Sequence, residues 1–255
     1  MSALFMWNNK SMVNKQQLRN AIKKKDGWWA SIFSGPIANI LLIFICDVKW
    51  ITPNCVTTSS LFTCILAAAF ISVGAPIFLI TGAVLVQIVF ILDCLDGQLA
   101  RYREASSNFG AWYDRVTDRI KDFLIYFSIA FGHFRVYSDW KIWPLAMSSL
   151  FIVYLFDYYV NQDIKLEAVK NVDKSTKETK CPITKCLNLI FSIGEKVYKF
   201  LPILQFHLGE QYLIISIFLF FNQTRLMFYL IIVMGIFYSI YWPVSKYYGR
   251  KPETT

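Results

Sequence analysis

The sequence predicts an all-α integral membrane protein: six transmembrane helices preceded by an amphipathic interfacial helix, with both termini cytoplasmic. Three observations carry this reading. Hydrophobic residues make up 56% of the 255 and charged residues 17%. Several apolar runs approach the roughly 20 residues a helix needs to cross a bilayer. The basic residues gather between those runs, as orientation in a membrane requires. A soluble fold has too much surface to carry 22 Phe, 14 Tyr and 8 Trp at this charge content, whereas lipid tolerates an apolar exterior.

Residues 1–26 are polar and basic, and Lys23-Lys24-Lys25 reads as a surface anchor for anionic lipid. Residues 27–48 are apolar, open on Trp28-Trp29 and are interrupted by Gly35-Pro36, which reads as a helix lying in the interface, a true span being the alternative. The spans follow at about 55–73, 77–102, 109–134, 142–161, 209–222 and 226–245, with Gly74-Ala75-Pro76 turning the chain between the first two. The predicted organisation is a cytoplasmic basic segment and interfacial helix over 1–54, then a six-helix transmembrane domain over 55–255. The latter carries a cytosolic or interfacial insert at about 162–208.

Charge tests this topology. With the N-terminus inside, only Arg135, Lys141 and Arg225 of the 26 basic residues fall outside. The net charge of +9 is therefore a membrane signature and gives no reason to expect nucleic acid. The six Cys form no CxxC pair, and Cys181 and Cys186 lack the further Cys or His partners of a zinc site. The start MSALFMWNNK has neither a long apolar region nor a cleavage site, and is read as carrying no removable signal peptide.

Acidic residues are rare in the apolar parts of the second and third spans, and their spacing singles out Asp93, Asp96, Asp114 and Asp118. Asp93 lies about 26 Å of helix beyond Pro76, near the inner boundary of a hydrocarbon core roughly 30 Å thick. Asp93, Asp96, Gly97 and Ala100 share one helix face, and Gly110, Asp114 and Asp118 align on the next span. A short linker would let these stripes meet in an antiparallel helix pair, small residues allowing close approach. Four converging carboxylates need compensation: protonation, or cations, for which an all-oxygen set favours Mg²⁺, Mn²⁺ or Ca²⁺. The alternative is structural ion pairing with Arg101, Arg103, Arg115 and Arg119.

The pattern Asp93-x2-Asp96-Gly97-x2-Ala100-Arg101-x8-Gly110-x3-Asp114-x3-Asp118 resembles the signature of the CDP-alcohol phosphatidyltransferase family at all eight fixed positions. Thr52-Pro53-Asn54-x2-Thr57 is similar to a motif common before the family's first span. The resemblance covers residues 27–135 in sequence and the last third in topology. It implies that a CDP-linked donor, CDP-diacylglycerol or similar, gives a substituted phosphoryl group to an alcohol hydroxyl and releases CMP, in phospholipid biosynthesis at the cytoplasmic face. It implies Mg²⁺ or Mn²⁺, as two ions, held by the four aspartates, with Asp118 as general base beside Asp114. It places CDP against Asp93, Asp96, Gly97, Ala100, Arg101, Gly110 and Asp114. Arg115, Arg119, Lys121, Pro53, Asn54 and Thr57 are weaker candidates for acceptor or phosphate contacts. Membrane lipids and a second copy of the chain, as a homodimer, are the other expected partners. Reversed roles, with a soluble CDP-alcohol of choline, ethanolamine or inositol type donating to a lipid or polyol, fit the same signature. A cation transporter is the competing class, but it leaves Gly97, Arg101 and Gly110 without a role.

Overall fold

The computed structural model describes Leu18, Ala21, Ile22, residues 27–170 and residues 207–248, with side chains placed up to 159 and from 207 to 240. The Lys23–Lys25 run, Cys181, Cys186, nearly all of the expected interfacial segment at 186–208 and the polar stretch beyond 170 lie outside the described residues. Every regular element among the described residues is a helix.

A π-helical turn, Ala30–Ser34, leads into α1 (Gly35–Ile45). Gly35-Pro36 therefore does not break the helix as expected. Pro36 cannot donate to the carbonyl four residues back and its ring crowds it, so the preceding turn widens and the Gly35 N–H bonds to Ala30 O. The helix α2 (Pro53–Ile71) starts at Thr52, whose hydroxyl accepts from Cys55 N at 3.2 Å, with Pro53 preset for the first turn. Pro76 opens α3 (Pro76–Tyr102) in the same way. Ser107 caps α4 (Asn108–Tyr137) by accepting from Gly110 N at 2.9 Å, and Ser138 ends it in the left-handed region at φ 52°. The helix α5 (Ile142–Lys170) runs past residue 161, where a polar stretch was expected to begin, and α6 (Leu208–Phe220) and α7 (Thr224–Tyr248) are the last described helices.

Helices thus stand at all six expected positions. Among the described residues, three helices are long and apolar enough to cross a membrane: Pro53–Ile71, Pro76–Tyr102 and Ile142–Tyr159. Ala30–Ile45, Leu208–Phe220 and Thr224–Ile240 are shorter apolar helices. The helix α4 is long enough but carries Asp114, Arg115, Asp118, Arg119, Lys121 and Asp122 in its first half.

Packing sets the site. The helix α2 lies along both α3 and α4, α6 packs on α3, and α7 on α5. Gly74, at φ +76°, and Gly132 let the α2–α3 turn press on α4: a Cβ on Gly132 would collide with the Ile71 carbonyl oxygen. Because α2 occupies the space beside both helices, α3 and α4 make few close backbone approaches to each other. The two acidic stripes consequently face one another across a gap and do not pack as the expected helix pair.

Two polar devices tie α3 to the segment before α1, to α6 and to the α1–α2 connection. Gln87 on α3 accepts from Trp29 Nε1 at 3.0 Å and donates to Tyr212 O at 3.0 Å and Ser216 Oγ at 2.8 Å. Arg103, at the end of α3, donates to the carbonyls of Ile45, Cys46, Val48 and Ile51 at 2.5–3.2 Å, and so ties down the α1–α2 connection. The core includes Ile71, Val86, Val89, Ile125, Ile129, Ile215 and Phe228, while Phe62, Phe78, Phe151 and Phe220 are exposed on the outside, as lipid contact permits.

Candidate active site

The carboxylates of Asp93 from α3 and Asp114 and Asp118 from α4 each bring an oxygen within 4.8 Å of the others. Their helical spacing explains why: Asp114 and Asp118 are four residues apart on one face, and Asp93 meets them across the gap. Carboxylate oxygens at this separation and partial burial fit a hard divalent cation, which takes oxygen ligands. Asp96 is not part of that set. It is buried, and its Oδ2 accepts a 2.6 Å hydrogen bond from the Thr57 hydroxyl on α2. Thr57 itself is buried and also reaches Pro53 O at 3.1 Å, so the motif that starts α2 is fastened to the acidic stripe of α3.

Two cavities meet at this centre. The first, about 480 Å³, is lined by Asp93, Asp96, Asp114 and Asp118 together with α1 residues such as Pro36 and Asn39, and by His207. The second, about 400 Å³, is lined by Asp96, Gly97, Ala100, Arg101, Gly110 and Asp114, and by Pro53, Asn54 and Thr57 from the start of α2. Asp96, Gly97, Arg101 and Asp114 belong to both. Each volume falls in the range of small-molecule sites. Space at Gly110 is short: a Cβ there would lie 3.1 Å from Ser107 Oγ and 3.3 Å from Asn54 Oδ1. Arg101 crosses between the cavities, its Nε donating to Ala21 O at 2.6 Å.

Other candidates stand elsewhere. Arg115 and Arg119 line neither cavity; with Trp112, Val116, Ile120, Phe123 and Tyr154 they border an open groove on the outer side of α4. Arg119 pairs with Asp122 at 3.5 Å and Asp157 at 3.4 Å, and its guanidinium lies 5.1 Å from the Tyr154 ring centre. Lys121 is buried, and its Nζ pairs with Asp93 and, at 2.8 Å, with Asp118. Sequence reasoning assigned His207, Asn39 and Gln98 no role as cavity-lining residues, because His207 and Asn39 lie far along the chain from the aspartates and Gln98 is an unspecified position of the signature. It also passed over Asp122, which is buried and accepts from Tyr212 at 3.2 Å.

Fold and site together define a helical membrane protein with an oxygen-ligand centre where two ligand-sized cavities join. The chain belongs to the CDP-alcohol phosphatidyltransferase family, whose model matches residues 50–241. Among curated proteins the chain is similar to the bifunctional IPC transferase and DIPP synthase of Aquifex aeolicus, 34% identical over 100 residues, covering 39% of this chain and 22% of that protein. It is also similar to the bifunctional IPC transferase and DIPP synthase of Rubrobacter xylanophilus, 34% identical over 147 residues, covering 54% of this chain and 33% of the relative. The chain thus matches only a third or less of the length of these relatives.

Proposed function

We propose that the protein transfers a substituted phosphoryl group from a CDP-linked donor to an alcohol hydroxyl, with release of CMP. The observation that carries this reading is the junction of the two cavities at Asp96, Gly97, Arg101 and Asp114: one chamber for the nucleotide, one for the other substrate, and the carboxylates between them. The signature residues Gly97, Ala100 and Gly110 leave the second chamber open to CDP, and Arg101 supplies a cation for its phosphates. Asp118 takes the proton of the acceptor hydroxyl as the new P–O bond forms and the bond to CMP breaks. Asp93, Asp114 and Asp118, with Asp96 from the other edge of the cavity, would hold Mg²⁺ or Mn²⁺. Such ions offset the charge of the diphosphate and of the departing CMP. Basic residues gathered on one side of the spans support cytoplasmic termini and a cytoplasmic-facing site.

For the donor, CDP-diacylglycerol is the first reading, because a cavity bordered by α1 and lipid-exposed helices lets acyl chains stay in the membrane. The second reading is a soluble CDP-alcohol donating to a lipid or polyol acceptor, which the same signature residues fit equally. The test is to incubate the detergent-solubilised protein with Mg²⁺ or Mn²⁺ and a matrix of CDP donors and alcohol acceptors, following CMP. CMP release that requires one donor, one acceptor and the metal supports the proposal, and the active pair decides between the readings. No CMP from any combination overturns it.

A further inference from the structure

Lys121 is the only buried cation among the described residues. It follows Asp118 by three residues on α4, and helical side chains lean toward the N-terminus, which carries its ammonium back toward the cavity. There Nζ pairs with Asp93 and Asp118, two of the three carboxylates that converge closely enough to hold a metal ion. The backbone of the same residue is held from α2, where Cys64 Sγ donates to Lys121 O at 3.6 Å. The ammonium is thus held between two carboxylates and does not dangle into solvent.

We infer that Lys121 is a resident counter-ion of the acidic centre, a positioning residue that keeps Asp93 and Asp118 together in the metal-free protein and competes with a divalent ion for both. The inference rests on the metal reading of the aspartates given above. Like charges this close repel, and in a partly desolvated site the repulsion is weakly screened. The ammonium relieves it while no metal is bound. An arriving divalent ion must share the two carboxylates with Nζ or displace it, so the same charge that preserves the empty site weakens the metal's hold. A lysine that served packing alone would affect metal-free and metal-loaded protein equally.

The experiment uses the full chain in detergent, with Lys121→Met, which keeps length and loses charge, and Lys121→Gln. Free Mn²⁺ is titrated by electron paramagnetic resonance, and melting is followed in EDTA and in saturating Mn²⁺. The expected result is that both variants bind Mn²⁺ about tenfold more tightly than wild type, the effect of one nearby charge. They should also melt lower than wild type in EDTA, with most of that difference removed by Mn²⁺. Unchanged affinity with an equal melting loss in both conditions overturns the inference, as do variants that stay unfolded at saturating Mn²⁺. If wild type binds Mn²⁺ and the variants match it, the lysine inference alone fails. If neither wild type nor variants bind Mn²⁺, the metal reading fails and takes this inference with it.

Discussion

Thr57 donates a 2.6 Å hydrogen bond to Asp96, joining the first turn-and-a-half of α2 to the acidic face of α3. Both side chains are buried, so the bond is not interchangeable with one to bulk water. It fixes one wall shared by both cavities.

Thr57→Val keeps the shape of the side chain and deletes the donor. A buried hydrogen bond to a charged group is worth about 1.5–3 kcal/mol. CMP release should therefore fall by roughly ten-fold or more, with a lowered melting temperature, while Thr57→Ser recovers most of both. Undiminished CMP release by the valine variant would show that the bond does not shape the site.

Arg103→Met should destabilise the protein by roughly 2–4 kcal/mol, since several charge-assisted bonds to carbonyls go at once and some of those carbonyls regain water. Its guanidinium is what ties α3 to the backbone from Ile45 to Ile51. Thermal melting in detergent checks this. A variant melting with wild type would mean the α1–α2 connection holds itself.

Asp139, in the connection between α4 and α5, receives hydrogen bonds from Arg225 Nε at 2.8 Å and Lys141 N at 3.1 Å. Desolvation pushes its carboxyl up, but the Arg225 and Lys141 bonds and the Arg225 charge outweigh that and hold it below the usual carboxylate range. A carboxyl depressed in the folded state contributes stability above its unfolded value of about 3.9, and that contribution is lost as pH falls through the lower folded value. The gap in melting temperature between wild type and Asp139→Asn should be constant at neutral pH and shrink below about pH 4. A gap that does not change with pH contradicts this role.

Much of the fold could be read from local signals. Pro53, Pro76, Thr52 and Ser107 are helix starters by their own chemistry, and the structure begins α2, α3 and α4 at or beside them. Helical phase also brought Asp114 and Asp118 to one face. The same phase turns Arg115 and Arg119 about 100° away from those aspartates, onto the outer groove of α4, a consequence that charge alone had obscured. Three relationships needed the tertiary structure. Lys121 meets Asp93 only because α2 holds α3 and α4 apart at a fixed distance. Thr57 meets Asp96 only because α2 packs on α3. Glu210, buried on α6, accepts from Trp29 N across 181 residues of sequence.

The central claim is that the aspartates of α3 and α4 perform a CDP-dependent transfer. Its most direct test is CMP release by wild type, Asp114→Asn and Asp118→Asn with the donor and acceptor pair that wild type turns over, with melting followed alongside. The account predicts a loss of about 100-fold or more in each variant while the protein remains folded. Full activity in both folded variants would contradict it.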